Sequence, residues 1–221
     1  MIRRPESSQE DEANMIDRTT GRAALSCLLG VLLLGALACA PRALRGGAGT
    51  DNPDMDQPAL STTLDREDIN YLVRENLGPM YESAFWQREV KTAPTQPIFA
   101  IWPIENRTTQ HLADQMLSLL SAMETSIIQS GDAQVVAKSR QDELAKEIGI
   151  QQGAIYDPAS AQRLGRQLGA QYFVTGKLTS VDEKLGGTRR VQYSLFSQII
   201  EIETGLVKFQ NEVQRSKALK K

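Results

Sequence analysis

Hydrophobic positions follow three rhythms along this chain, and each predicts a different kind of structure. The first is an unbroken run from Ala23 to Cys39, AALSCLLGVLLLGALAC, with Arg18 and Arg22 before it and small residues closing it. A basic flank, a short apolar segment and a small-residue exit describe a secretory signal peptide, here residues 1–38. About 16 apolar residues fall short of the roughly 20 that a helix needs to cross a bilayer. Glu6, Glu10, Asp11 and Glu12 lie upstream of this segment, and Met15 opens a cleaner leader, MIDRTTGR. Residues 39–60 show no rhythm and are rich in Gly, Pro, Asp and Asn, so they read as a flexible tether. Fully stretched, about 21 residues reach on the order of 70 Å.

The helical rhythm begins in the third segment, residues 61–221, which is expected to fold as one domain. Ser61-Thr62-Thr63 are the expected cap of a first helix. Ile69, Leu72, Val73, Leu77 and Met80 share one face of it, and Gly78-Pro79 is expected to interrupt it. Tyr81, Phe85 and Trp86 continue the segment. A strand follows at Pro97–Trp102, then a polar loop, 103–109, expected to cap the next helix. Leu112, Met116, Leu119, Leu120, Met123, Ile127 and Ile128 form that helix's core stripe, which ends at Gly131. Gln134–Ala137 reads as a short strand. Ser139 is expected to cap a helix carrying Leu144 and Ile148 and ending at Gly149. Asp157-Pro158 opens another, with Ala159, Ala161, Leu164 and Leu168 inward and Gly169 closing it.

The last rhythm has period two. Residues 170–181, 190–201 and 206–215 read as strands joined at Gly186-Gly187 and at Glu203-Thr204-Gly205. In the last of them Leu206, Lys208 and Gln210 are expected on one side, Val207 and Phe209 on the other. The predicted class is α/β (α+β): helices packed on a mixed β-sheet that ends in a C-terminal antiparallel meander.

Composition removes several function classes. The formal net charge is −2, so the chain lacks the basic footprint of a nucleic-acid binder. Cys27 leaves with the signal peptide and Cys39 stands at its exit, so the folded domain has no thiol for a disulfide or a zinc site. His111 is the only histidine, which argues against a Ser-His-Asp or Cys-His arrangement and against a multi-histidine metal site. No phosphate-cradling glycine motif follows a strand. Asp182-Glu183 reads as a solvated turn pair, and the glycosylation-like Asn106-Arg107-Thr108 as accidental. The expectation is a protein that is not an enzyme and uses no metal or cofactor.

Two resemblances sharpen the picture. Ala36-Leu37-Ala38-Cys39 resembles the lipobox of bacterial lipoproteins, which implies that Cys39 is lipidated and becomes the first mature residue. The succession IWPIENRT, a long helix, AQVVAKSR with its trailing Glu143-Leu144, LGRQLGAQYFVTGKLTSV and EIETGLVKF resembles the LpoB-type outer-membrane lipoprotein activators of penicillin-binding proteins. It covers roughly Asp65 to Lys217. Its most specific parts, Gly169-Ala170-Gln171-Tyr172 leading into Thr175-Gly176 and the Glu203-Thr204-Gly205 turn, recur in CsgG-type and TolB N-terminal-like domains. The resemblance implies a TolB N-terminal-like fold, anchored by lipid in the outer membrane and facing the periplasm. Its implied partner is a bifunctional penicillin-binding protein, whose glycan polymerisation and crosslinking it stimulates without catalysis of its own.

The alternative reading is an accessory lipoprotein in outer-membrane assembly or secretion. A CsgG-like pore would need transmembrane β-hairpins for which this chain has no room. The tether also departs from the family's long Pro-rich one. The expected partner-binding residues are Glu105, Asn106 and Arg107, with the exposed side of the 170–215 meander including Arg189, Arg190 and Tyr193, because Arg and Tyr are enriched at interface hot spots.

Overall fold

Among the described residues a six-stranded mixed sheet runs in the order Gln134–Val135, Ile98–Ile101, Tyr172–Leu185, Thr188–Glu201 and Val207–Lys220, with Glu105–Asn106 also beside Tyr172–Leu185. The computed structural model describes residues 44, 46, 49–147 and 158–220. The apolar run and Cys39 lie outside them, as do Ile148, Gly149, Asp157 and the side chain of Ala161. Asp54–Lys221 forms one compact unit, which takes in the last residues of the segment read as tether. The described residues before it carry no helix or strand.

The first helix, α1 (Arg66–Glu82), starts later than expected because its cap is Asp65. Asp68 N donates to Asp65 Oδ1 (3.0 Å) and Asp65 N to Asp68 Oδ2 (3.1 Å), a reciprocal box that satisfies two donors the helix start leaves open. Ile69, Leu72, Val73, Leu77 and Met80 are all buried. Gly78-Pro79 does not interrupt this helix. Pro79 has no N–H to give the carbonyl of Glu75, and the side chain of Asn211 replaces it, donating to Glu75 O (3.3 Å) and Asn76 O (3.2 Å). A π-helical turn, Trp86–Val90, follows and tucks Trp86 and Val90 inward.

β1 (Ile98–Ile101) and β2 (Glu105–Asn106) come next, so part of the expected 103–109 loop is a strand. The helix α2 (Ala113–Gln129) has Leu112 at its N-cap and no side-chain cap bond, unlike the cap expected from the loop. Leu119, Leu120, Met123 and Ile127 are buried, whereas Ile128, one step further round the helix, is exposed. β3 (Gln134–Val135), α3 (Lys138–Glu147) and α4 (Pro158–Gln167) follow. Leu164 is buried; Ala159 is exposed, against expectation.

The meander consists of β4 (Tyr172–Leu185), β5 (Thr188–Glu201) and β6 (Val207–Lys220), paired antiparallel along their lengths. Gly186 and Gly187 both take positive φ, 55° and 81°, which a two-residue type I′ turn requires. A bulge at Ile199/Ile200 shifts the register, so Val207 is exposed while Phe209 packs on the core. β1 runs parallel to both β3 and β4, and β2 runs parallel to β4.

Strand alternation divides the core between the two faces of this sheet. On one face Phe99, Ile101, Tyr172, Val174, Leu195 and Ile199 pack with α1, α2 and the π-helical turn. On the other, Ala100, Trp102, Phe173 and Ile200 pack with Leu144 of α3 and Leu164 of α4. Gly176 lies where β4 presses on β5: a Cβ built there would overlap the carbonyl oxygen of Phe196.

Candidate partner-binding surface

The second face of the sheet is helix-covered near Phe173 and opens further along the meander. In an antiparallel pair, residues opposite each other share a face, so the register defines the rows of this open surface. One row crosses four strands: Glu105 on β2, Lys177 on β4, Phe196 on β5 and Glu212 on β6. Lys177 and Glu212 are exposed and Phe196 is half-buried. Lys177 Nζ lies 5.6 Å from the centroid of the Phe196 ring, a cation–π distance. The neighbouring row toward the hairpin tip is Thr179, Ser194 and Gln214, uncharged and hydrogen-bond capable.

The Glu105 end of the row is locally rigid. Arg107 N donates to Leu178 O (2.8 Å), fixing the loop to β4. Arg107 Nε lies 2.8 Å from Glu105 Oε2, and that hydrogen bond raises the guanidinium pKa above its ordinary value. Asn106 does not point at a partner. Its Oδ1 accepts from Thr108 N (3.0 Å) and Thr108 Oγ1 (2.8 Å), and its Nδ2 donates to Gln110 O (3.1 Å). This is an Asx-type turn, the local use of a short amide that the sequence Asn-x-Thr permits.

Tyr193 requires a correction. It is fully buried, on the face covered by α1 and α2, and its hydroxyl oxygen lies 2.8 Å from both Thr62 O and Gln110 Oε1. Burial raises its pKa. It ties the 106–110 turn and the entrance of α1 to β5 instead of offering a ring to a partner.

Arg189 and Arg190 sit at the far end of the hairpin and are ion-paired. Arg189 Nη2 lies 2.5 Å from Asp182 Oδ2, and Arg190 pairs with Glu183 across the ribbon. The Arg189 hydrogen bond lowers the Asp182 pKa. Along β4, the Glu105 row and the Arg189 pair are separated by seven residues, Lys177 to Lys184, or about 23 Å. The expected residues therefore form two separate groups. Lys177, Phe196 and Glu212 were missed, although the outward parity Arg190, Gln192, Ser194, Phe196, Gln198 is visible in the strand itself.

Beneath the other face lies a buried ionic cluster. Lys217 Nζ contacts Thr63 O (2.8 Å), Asp65 Oδ2 (2.5 Å) and Asp68 Oδ2 (2.8 Å), and Arg215 Nε reaches Asp68 Oδ1 (3.2 Å). Burial alone would lower the Lys217 pKa, but the hydrogen bonds to Asp65 and Asp68 outweigh it and raise it. His111 is exposed. Among the described residues no group of three or more His, Cys, Asp or Glu could hold a metal ion, and no helix is long and apolar enough to cross a membrane.

The sequence profile of the family described as peptidoglycan-synthase activator LpoB matches residues 68–214, more than half of the chain. Among solved structures, the LpoB C-terminal domain from Salmonella enterica is similar at 15% identity and a TM-score of 0.48, covering 70% of this chain and 99% of that one. The LpoB C-terminal domain from Escherichia coli is similar at 14% identity and a TM-score of 0.47, covering 66% and 98%. Lipoprotein GNA1162 from Neisseria meningitidis is similar at 11% identity and a TM-score of 0.44, covering 55% and 83%. The profile match carries the assignment, not these overlays. No curated protein matches the sequence.

Proposed function

Because the chain belongs to the peptidoglycan-synthase activator LpoB family, we propose that it is a lipoprotein held in the outer membrane through Cys39 and facing the periplasm. Its domain docks on a bifunctional penicillin-binding protein and stimulates glycan polymerisation and peptide crosslinking without chemistry of its own. One observation supports this reading above the rest: the family match runs from the first turn of α1 to the middle of β6, so it takes in five strands whole and half of the sixth. The docking surface proposed is the row Glu105, Lys177, Phe196 and Glu212, flanked by Arg107. It offers alternating charge and one aromatic ring on a frame of paired strands, so little backbone freedom is lost on binding. A tethered domain is also concentrated near the wall, which lets a modest intrinsic affinity suffice.

The test is the purified domain added to the organism's own bifunctional synthase. A rise in polymerisation or crosslinking rate is expected, reduced about tenfold or more by Lys177→Glu combined with Phe196→Ala, which removes a charge and a ring together. Failure to bind or stimulate any such synthase sinks the activator reading. Hydrolysis of purified wall by the domain alone would make it an enzyme instead. For the anchor, Cys39→Ser should release the protein from the outer-membrane fraction; continued sedimentation with that membrane refutes the lipidation reading.

A further inference from the structure

The β4–β5 hairpin ends in an apolar tip. Leu185 is 87% exposed and Leu219 is 51% exposed, and the two line one shallow concavity of about 460 Å³ beside the turn glycines. Neither side chain contributes to the core, so neither is explained by folding. Basic groups surround them. Over residues 181–190 and 218–221 the chain has five Lys and Arg against two acids, Asp182 and Glu183, and those two are engaged by Arg189 and Arg190. Lys184, Lys220 and Lys221 supply the excess.

We infer that this tip is a membrane-contacting element: Leu185 and Leu219 insert into an anionic lipid surface, with Lys184, Lys220 and the paired arginines at the headgroup level. An aliphatic tip within a basic collar is the chemistry that a charged bilayer interface accepts, because apolar burial and electrostatic attraction act together. A second copy fits poorly. A two-fold contact brings the same patch against itself and would set one basic collar against another.

The fold also turns this end toward the chain's own entrance. Thr62 O is bonded by Tyr193 and Thr63 O by Lys217, and Lys217 pairs with Val191, which pairs with Asp182. Along β4, Thr63 is therefore held four residues from Gly186 and Thr62 six, about 13 and 20 Å. This orientation argument rests on the anchoring through Cys39 proposed above; the apolar tip and its basic collar do not.

The test uses residues 54–221, the compact unit that contains both core clusters. Lacking Cys39, this fragment reports on the tip whether or not the chain is lipidated. It is cosedimented with vesicles of phosphatidylcholine alone and of phosphatidylcholine with phosphatidylglycerol. Binding to the anionic vesicles only is expected, with a loss of about tenfold or more in Leu185→Ser/Leu219→Ser and about fivefold in Lys184→Ala. Thermal melts should show every variant folded, since the side chains removed are exposed. A tip reporter, Leu185→Trp, should be quenched by brominated lipid in the full chain, where Trp86 and Trp102 are buried and stay silent. No binding to anionic vesicles, or binding that the double leucine variant keeps, overturns the inference. So does a variant that binds lipid normally but no longer stimulates a synthase, which would make the tip a protein contact.

Discussion

Replacing Lys217 by Met tests whether the entrance of α1 is held by charge. The side chain is 4% exposed, against 3% for Asp68 and 42% for Asp65, so the substitution removes the cation from a site that water hardly reaches. Taking one partner from a buried ion pair costs about 3–5 kcal/mol, because the remaining charge is stranded. Here Asp68 keeps Arg215 (3.2 Å) and its own backbone bond from Asp65 N (3.1 Å), and Asp65 stays partly hydrated. The expected loss is therefore about 2–3 kcal/mol, which lowers the melting temperature of a domain this size by about 5–10 °C. Urea unfolding of both proteins should show a lower midpoint with an unchanged slope.

The pH dependence has a defined sign. Lys217 is raised above its ordinary value of 10.5, so its contribution is complete below that value and is lost as pH climbs through the higher folded one. For Asp65, burial opposes the charge, but hydrogen bonds accepted from Lys217 and from the Asp68 backbone lower its pKa below the ordinary 3.8. Its contribution is present above 3.8 and is lost as pH falls through the lower folded value. The difference between wild type and Lys217→Met should be flat from about pH 5 to 9 and shrink outside that window. A loss under about 0.5 kcal/mol at neutral pH, the value of an ordinary surface pair, would refute the reasoning. A difference that widens at either extreme would do the same.

Three further outcomes follow from other parts of the fold. Gly176→Ala should destabilise the domain by about 2 kcal/mol or more, since the clash is with the backbone oxygen of Phe196 and no side chain can move aside; the urea midpoint reads it. Asn211→Ala should cost about 1–2 kcal/mol in native Pro79 protein and less in a Pro79→Ala background, where the restored N–H can serve Glu75 O. A double-mutant cycle by thermal melting measures this coupling, and its absence would refute the replacement account of the helix. Tyr193→Phe should lower stability by about 1–2 kcal/mol through the loss of its bonds to Thr62 and Gln110, yet leave synthase stimulation by the folded protein unchanged.

The fold was legible where periodicity and glycine carried the information. The α1 and α2 stripes, the short parallel strands and the two C-terminal turns lie where their patterns placed them. The failures have local causes. Pro79 reads as a break because its rescuer, Asn211, is far away in the chain. Ser61, Thr62 and Thr63 read as caps, but Asp65 can exchange bonds with Asp68 and so wins. β2 has only two residues, too few for any alternation, and exists because β4 outruns β1. Tyr193 was read as an interface residue by its type, although it shares strand parity with Val191, Leu195 and Ile199, all buried. Parity outweighs residue type along the stretch where only one face of the sheet is covered. The Glu105 row joins residues far apart in the sequence, so only the register reveals it.

The bonds that hold residues 62–65 also decide how the domain carries load. Any pull arriving from the N-terminal side meets the Tyr193 and Lys217 contacts before it reaches the first turn of α1. Tension is thus diverted into β5 and β6, whose ladder runs nearly the length of both strands. Mechanically, the clamp acts as a strain relief at the domain's N-terminal entrance.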